Sequence, residues 1–328
     1  MQERDHYVTA DRVKNVFLGA ETRQQTLLEL FDKHNKERES QIGVDICQSG
    51  HNSYCRTRDR LADFIRLQYK ISDIPLKKID HKFINDFEAY LIANYQLAHN
   101  TLTKYLKNLR HVVRIAMDDE LITKNPFSKR SIQYQNADRG YLTQNEIDKL
   151  IAFQLDKIEY EQARDMFIFC CFTGLSYSDL SNLTDNKICL SFGGKMWIKG
   201  KRVKTNIEYN IPLLDIPKKI LEKYKSRRTD DKLLPVSNLD KYNDLLKKIA
   251  KTCGINKKIT SHIARHTFAT LTLTKGVSIE SVSKMLGYVD IKTTQIYAKI
   301  TNEKISNDMA AFAEKIKDFG NHNIKAKI

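Results

Sequence analysis

Residues 260–297 read TSHIARHTFATLTLTKGVSIESVSKMLGYVDIKTTQIY, and this stretch says most about the fold. Thr260 or Ser261 can cap a helix here, and the first turns of that helix place His262 and Arg265 on one face. A helix N-terminus, a guanidinium and an imidazole that converge would form a phosphate site. The His-x-x-Arg spacing alone is weak evidence, because it arises often by chance and most histidines serve the core or the surface.

The same stretch contains two further features. Leu286-Gly287-Tyr288 predicts a helix that ends at a C-cap glycine. Tyr297 lies nine residues beyond Tyr288 and 32 residues beyond Arg265. The chain has 15 tyrosines, so an isolated tyrosine usually serves packing. The order and spacing of these features together make Tyr297 a candidate nucleophile.

Upstream, the segment from Lys187 to Pro212 predicts the one β-sheet of the chain. Its short apolar segments are broken by Gly193-Gly194 and Gly200, which is typical of a small antiparallel sheet. Lys204 lies in the predicted hairpin between Lys199 and Pro212, where a mobile turn would swing it toward a leaving oxygen. By itself it is an ordinary turn lysine.

Helical periodicity dominates the other windows, and only 12 glycines and 5 prolines interrupt it. The predicted fold is therefore mainly α with one small antiparallel β-sheet. We expect breaks near Gly50 and around Ser72 to Pro75, and a capping box formed by Thr143 and Glu146. The expected division is an N-terminal extension at 1–22, a helical domain at 23–124, a linker at 125–140, an α+β domain at 141–318 and a tail at 319–328.

Charge and composition indicate the class of partner. The 328 residues suit two domains, and 55 Lys and Arg against 40 Asp and Glu give a net charge of +15. That balance favours nucleic acid ahead of an anionic membrane surface. The densest apolar run, Met166 to Phe172, is too short to span a bilayer and predicts a buried helix.

The N-terminal sequence and the cysteines bear on location and cofactors. The N-terminus lacks the apolar core of a signal peptide, so we expect a cytoplasmic protein that is associated with the bacterial nucleoid when it binds DNA. The six cysteines show no Cys-x-x-Cys pairing, which argues against a zinc site or a disulfide framework. We expect no metal and no cofactor.

A basic stripe is predicted on a helix of the first domain. Its residues share one face at spacings of three and four: Lys104, Lys107, His111 and Arg114. The opposite face is apolar: Leu102, Leu106, Leu109, Val113 and Ala116. The stripe is either a phosphate-binding surface or an ordinary solvated face. Arg56 and Arg60 on an earlier helix either add to the DNA-binding surface or lie on the protein surface without a role in binding.

Taken together, these motifs resemble the tyrosine recombinase, or phage integrase, family. The segment FTGLSYSDL at 172–180 looks like the family's T-G-L-R-x-x-E/D-L segment. His262 to Arg265 matches its H-x-x-R, and Leu286 to Tyr297 matches its stretch from L-G-H to the tyrosine. Residues 292–297 also resemble integrases of bacterial conjugative transposons and related mobile elements.

The resemblance implies a helical core-site DNA-binding domain and a catalytic domain that close around DNA as a clamp. The activity it implies is site-specific recombination through a 3′-phosphotyrosine, for integration, excision or inversion of a mobile element. The implied partners are double-stranded DNA attachment sites, three further copies of the chain in a tetramer, and accessory DNA-bending or directionality proteins. The extension at 1–22 is too short for the arm-binding domain that such integrases often carry.

The resemblance also implies the roles of the site residues. Tyr297 would attack the scissile phosphate, Arg265 would hold its non-bridging oxygens, His262 would donate a hydrogen bond or carry a proton, and Lys204 would protonate the departing 5′ oxygen. A phenol has a pKa near 10, so it needs a base or nearby cations to become nucleophilic at neutral pH.

Two positions depart from the family pattern. Ser176 stands at the first-arginine position and Tyr288 at the His or Trp position, whereas Asp179 retains the acidic residue. We expect Arg202 to supply the missing guanidinium, because alternate strand residues share a face with Lys204; the alternative is an exposed hairpin arginine. Tyr288 either binds the phosphate or packs against Tyr297.

Three hypotheses compete at this point. The first is the recombinase, in which an apolar face of the last helix docks onto a neighbouring copy: Ile305, Met309, Phe312 and Ile316. The second is a DNA-binding regulator that descends from an integrase and has lost activity through Ser176 and Tyr288. The third is a type IB topoisomerase. Retention of Tyr297, Arg265 and the other catalytic residues together argues against decay.

Overall fold

The computed structural model describes residues 25–135, 140–228, 231–297 and 302–317. The chain separates into two compact units between Ala137 and Asp138. The predicted extension at 1–22, the predicted tail at 319–328 and four residues of the predicted linker lie outside the described residues. The predicted class, mainly helical with a small antiparallel sheet, is confirmed.

The first unit is built from α-helices around an aromatic and aliphatic core. Its helices are α1 (Leu27–Glu39), α2 (Gln48–Tyr69), α3 (His81–Tyr95) and α4 (His99–Asp118). The apolar face predicted for α4 is buried along its whole length, whereas Gly50 lies in the first turn of α2 rather than at a break. Residues 40–47 form the break before α2, and residues 70–75 contain the one predicted around Ser72 to Pro75.

Part of the segment predicted as a linker packs onto this unit. Phe127 and Ile132 are buried in its core. The side chain of Asn100 also donates to the carbonyl of Gln135 and accepts from its amide. Residues 125–135 therefore pack as part of the first unit.

The second unit combines helices with the small sheet. Its helices are α5 (Gln144–Ala152), α6 (Ile158–Thr173), α7 (Tyr177–Ser181), α8 (Asp215–Lys225), α9 (Leu239–Thr252), α10 (Ser261–Thr274), α11 (Ile279–Leu286), α12 (Lys292–Gln295) and α13 (Asn302–Lys315). Thr143 and Glu146 form the predicted capping box of α5. The apolar run from Met166 to Cys171 is buried in α6, which packs against α8, α9 and α10. In the described residues, no helix is long and apolar enough to cross a membrane.

The sheet lies where the sequence predicts it. Strands β1 (Ile188–Ser191), β2 (Lys195–Lys201) and β3 (Glu208–Pro212) form an antiparallel sheet in that order. Gly200 pairs with Tyr209, and a side chain at Gly200 would place its Cβ 2.7 Å from the Tyr209 hydroxyl. The β2–β3 turn is closed by two 2.8 Å hydrogen bonds, from the Arg202 amide to Ile207 and from the Asn206 amide to Arg202.

Candidate active site

Arg265 lies at the centre of the site and is almost fully buried, with 2% of its surface exposed. It projects from the first turns of α10 and donates to the main-chain carbonyls of Gly174 and Leu286 and to the hydroxyl of Tyr288. In the described part of the chain, no carboxylate forms an ion pair with it. Burial lowers the pKa of Arg265, and the nearby positive charge of Arg202 lowers it further, whereas contact with Tyr288 opposes both effects.

Arg202 brings a second guanidinium to the same place. Its Nη1 donates to the Leu286 carbonyl at 2.8 Å, and its Nε lies 3.0 Å from a carboxylate oxygen of Asp179. The alternative of an exposed hairpin arginine and the strand argument for a role of Arg202 are both wrong. Arg202 is not an exposed hairpin arginine, because its side chain is only 10% exposed. It also does not alternate with Lys204 along a strand, because β2 ends at Lys201 and both residues lie in the turn.

Gly287 permits the close approach of Arg202. It ends α11 with φ 61°, in the left-handed region where a side chain is strained. A Cβ at this position would also lie 2.8 Å from Cγ of Arg202. The C-cap glycine predicted from the sequence is therefore confirmed, and it has a second role in the packing of the site.

Ser176 and Asp179 anchor the turn that carries Arg202. Ser176 caps α7 by accepting from the Asp179 amide, and its hydroxyl donates to a carboxylate oxygen of Asp179 at 2.6 Å. The other carboxylate oxygen accepts from the Val203 amide at 2.9 Å. Asp179 is 1% exposed and binds both the side chain of Arg202 and the main chain of the turn. Ser176 supplies no charge, but it holds the carboxylate that binds Arg202.

The two tyrosines of the motif touch through their hydroxyls. Tyr297 is 5% exposed, and its Oη lies 3.2 Å from Oη of Tyr288. Tyr288 in turn accepts from Nε of Arg265 at 3.3 Å. Burial raises the pKa of Tyr288, but the charge of Arg265, the hydrogen bonds from Tyr297 and Arg265 and the charge of Arg202 outweigh burial, so this pKa lies below its ordinary value of 10.0.

The histidines of α10 lie at the edge of the site. His262 is exposed, whereas Arg265 three residues later is buried, so the predicted common face is split between solvent and core. The ring of His262 packs edge-on against His266 at 4.6 Å, and His266 packs against the Tyr297 ring at 4.8 Å. Sequence reasoning missed His266, although its spacing of four from His262 was a signal for it.

The cap predicted for α10 is provided by a different residue. Thr260 holds the N-cap position, but its side chain makes no capping hydrogen bond. The first amide of the helix, that of Ser261, instead donates to the side chain of Asn243 on α9 at 2.9 Å. Lys204 is exposed in the β2–β3 turn, two residues after Arg202.

The basic residues predicted to contact DNA lie in different surroundings on the first unit. Lys104, Arg114 and Arg56 are exposed, and Arg56 and Lys104 line an open pocket of about 300 Å³. Lys107 and Arg60 are partly covered and lie over the rings of Tyr134 and Tyr95.

His111 departs from the stripe. Its ring packs against His34 and Tyr54, at 5.4 and 5.9 Å. Burial lowers the pKa of His111, and the nearby charges of Arg114 and Arg38 lower it further. His111 is therefore a member of an aromatic cluster more than of an open basic surface.

Comparisons with known proteins match both units. A family model described as "Phage integrase family" matches residues 140–304, and one described as "Phage integrase SAM-like domain" matches residues 26–134. The tyrosine recombinase XerD of Listeria monocytogenes is 30% identical over 232 residues, which cover 63% of this chain and 74% of that protein. XerD of Staphylococcus saprophyticus is 28% identical over 284 residues, covering 81% and 92%.

Two solved structures share the fold. The Tn1549 transposon integrase in complex with a circular intermediate DNA has a TM-score of 0.68 at 18% identity, covering 87% of this chain and 99% of that one. A lambda integrase dimer bound to a COC′ core site has a TM-score of 0.68 at 19% identity, covering 85% and 97%. At this level of identity the likeness shows the fold alone.

Proposed function

Because the chain belongs to the phage integrase family, we propose that it is a site-specific DNA recombinase that breaks and rejoins strands through Tyr297. The surroundings of Arg265 carry this proposal. A buried cation is costly unless an opposite charge or a full set of hydrogen bonds compensates it. Arg265 has carbonyl and hydroxyl partners instead of a carboxylate, and an anion would complete its shell. A DNA phosphate supplies that anion next to the hydroxyl of Tyr297.

In the proposed reaction, Oη of Tyr297 forms a bond to phosphorus and the bond from phosphorus to the 5′ oxygen breaks. The products are a 3′-phosphotyrosine and a free 5′-hydroxyl. Lys204 supplies the proton that the 5′ oxygen takes up as it leaves. Attack by a 5′-hydroxyl on the phosphotyrosine reverses these steps and rejoins the strand, so the energy of the broken bond is retained.

Arg202 is proposed to replace the family's first arginine, whose position is occupied here by Ser176. It is held by Asp179, and it donates to the carbonyl that Arg265 also uses, so the two guanidinium groups are already adjacent. Two fixed cations at one phosphate stabilise the charge that develops on its oxygens during attack. Their own binding partners set this geometry before DNA arrives.

His262 is proposed to act at the edge of the site as a hydrogen-bond donor or proton carrier for the phosphate. Its exposure at the start of α10 leaves it accessible to DNA, and the helix N-terminus beside it favours an anion. Tyr288 is proposed to contact the reacting groups through its hydroxyl.

The predicted domain at 23–124 is proposed to bind the core site of the DNA, and the predicted domain at 141–318 to carry out catalysis. The net charge of +15 and the exposed Arg56, Lys104 and Arg114 support phosphate contacts. Such contacts release counterions, so affinity should fall steeply with salt. Lys107, Arg60 and His111 are proposed to contribute at the margins of this surface.

The recombinase is proposed to act as a tetramer on two DNA sites. Helix α13 supports this, because its apolar residues are exposed: Ile305 is 50%, Met309 58% and Phe312 52% exposed. We propose that this face docks onto a neighbouring copy of the chain. Deletion of the helix should leave binding to a single site intact and abolish the synaptic complex, as measured by native gel electrophoresis.

A denaturing gel tests the central proposal. The full chain is incubated with labelled, nicked duplexes that cover the flanks of its own gene, and a covalent adduct is expected. Tyr297→Phe should abolish the adduct, whereas the control Tyr160→Phe, on α6, should retain it. If the protein binds the duplexes but forms no adduct on any of them, the DNA-binding regulator becomes the preferred function. If the adduct persists in Tyr297→Phe, Tyr297 is not the nucleophile.

A further inference from the structure

The contact between the hydroxyls of Tyr288 and Tyr297 has a chemical meaning beyond packing. We propose that Tyr288 is a second catalytic tyrosine, which accepts the proton of Tyr297 as that hydroxyl attacks the phosphate. The two oxygens lie 3.2 Å apart, within hydrogen-bond reach, before any DNA is bound. The inference rests on the proposed recombinase function with Tyr297 as nucleophile.

The direction of the hydrogen bonds favours this role. A guanidinium only donates, so the oxygen of Tyr288 must accept from Nε of Arg265. A phenol oxygen has two lone pairs, and one remains for the hydroxyl of Tyr297. When Tyr288 is ionised it has no proton to give, and Tyr297 must then be the donor across the 3.2 Å contact.

The charges that face Tyr288 stabilise its ionised form. Arg265 on α10 lies with its guanidinium carbon 4.8 Å from the ring centroid, and Arg202 from the β2–β3 turn lies at 5.8 Å. Asp179, the nearby carboxylate, is bound to Arg202. The pKa of Tyr288 is lowered in this setting despite its burial, which brings the acceptor closer to the pH at which the enzyme works.

Every proton and bond is accounted for in the proposed cleavage step. The proton of Tyr297 moves to the Tyr288 oxygen while the bond from Oη of Tyr297 to phosphorus forms. The bond from phosphorus to the 5′ oxygen breaks, and Lys204 gives that oxygen a proton. During rejoining, Tyr288 returns its proton to the oxygen of Tyr297 as the phosphotyrosine bond breaks. No other reactant is needed.

His266 is the competing acceptor. Its ring lies against that of Tyr297 at 4.8 Å, and His262 lies behind it. A histidine base and a tyrosine base predict different pH profiles and different responses to substitution. The tests below separate them.

The first test uses single-turnover cleavage of nicked DNA by the full chain, after the wild type has been shown to form the adduct. Tyr288→Phe keeps the ring but removes the acceptor, and it should slow cleavage roughly 10²- to 10⁴-fold while DNA affinity is unchanged. Cleavage at the wild-type rate would overturn the inference and leave the proposed function intact. Absence of the wild-type adduct on DNA that the protein binds would instead overturn the proposed function.

A second substrate separates activation of the nucleophile from protonation of the leaving group. A sulfur atom in place of the 5′ bridging oxygen leaves without a proton from an acid. This substrate should restore cleavage to Lys204→Ala but not to Tyr288→Phe. Restoration of Tyr288→Phe to the same degree would place Tyr288 on the leaving-group side and overturn its role as acceptor.

The third test measures the pH profile of cleavage, which would not shift if Tyr288 had only a structural role. Genetic encoding of a fluorotyrosine at position 288 lowers the pKa of this phenol, so the acidic limb of the pH profile of cleavage should shift to lower pH. His266→Asn should leave the position of that limb unchanged. If the acidic limb stays at the same pH with the fluorotyrosine but disappears in His266→Asn, then His266 is the group that accepts the proton of Tyr297.

Discussion

Arg202 and Arg265 donate to the same main-chain oxygen, the carbonyl of Leu286. The residue after that carbonyl is Gly287, and the next is Tyr288, whose hydroxyl contacts Tyr297. The end of α11 therefore joins both guanidinium groups to the candidate nucleophile. Substitutions around this point should affect cleavage far more than they affect folding.

Arg202→Ala should slow DNA cleavage roughly 10²- to 10³-fold, because a fixed donor to the developing charge is lost. The measurement is single-turnover cleavage of a nicked duplex at saturating protein. Lys201→Ala removes a neighbouring exposed cation of β2 and should cleave normally. Wild-type cleavage by Arg202→Ala would show that the enzyme works with one guanidinium.

Ser176→Arg should not improve the enzyme, although it restores the residue typical of the family. It removes the cap of α7, which typically costs about 1 kcal/mol of stability, and it introduces a competitor for Asp179. We expect a lower melting temperature and slower cleavage. In an Arg202→Ala background the same change should recover part of the cleavage, because Asp179 is then available to a new guanidinium. Failure to recover would contradict a shared role for these two positions.

Gly287→Ala should damage the site through two effects that a control can separate. The left-handed backbone costs about 1–2 kcal/mol with a side chain, and the new Cβ collides with Arg202. Gly254→Ala has a similar φ of 68° but meets no atom within 4 Å. Both variants should lose stability in urea unfolding, Gly287→Ala more than Gly254→Ala because of the collision, but only Gly287→Ala should lose most of its cleavage. Equal cleavage by the two would remove the steric argument.

Two arginines of α2 should differ in their effect on DNA binding. Arg56 is exposed, whereas Nε and Nη2 of Arg58 donate to the two carboxylate oxygens of Asp32, at 2.8 and 2.9 Å. Arg56→Ala should reduce the slope of log affinity against log salt by about one, since one phosphate contact is lost. Arg58→Ala should leave that slope unchanged. The same slope change in both would indicate a general charge effect.

Acidification should destabilise the first unit through His34 and His111. Burial lowers the pKa of both below the ordinary 6.5. The charges of His111 and Arg38 lower the pKa of His34 further, against an opposing hydrogen bond with Asn35, and the charges of Arg114 and Arg38 lower the pKa of His111 further. The unfolded chain therefore takes up protons first, and stability is lost as the pH falls from 6.5 through the lowered values. Urea unfolding above and below that pH measures the loss. A double His34→Gln and His111→Gln variant should show a smaller loss, and an equal loss would assign it elsewhere.

Features encoded locally could be predicted from the sequence. The capping box of α5, the apolar face of α4, the small sheet and the glycine that ends α11 depend on neighbouring residues. The arrangement of the site depends on contacts between distant segments. Local spacing gives no signal for three of these contacts. They are the ion pair of Asp179 with Arg202, the hydrogen bond from the first amide of α10 to Asn243, and the packing of His111 against His34 and Tyr54. The role predicted for Arg202 stays a proposal, although the strand argument for it was wrong.

Asp179 binds the main chain at Val203, which lies between Arg202 and Lys204. The proposed phosphate-binding arginine and the proposed general acid therefore belong to one anchored turn. In the proposed mechanism, displacement of the β2–β3 turn would move Arg202 away from the phosphate and Lys204 away from the leaving oxygen. Under the proposed function, a contact that moves this turn would therefore alter both groups at once.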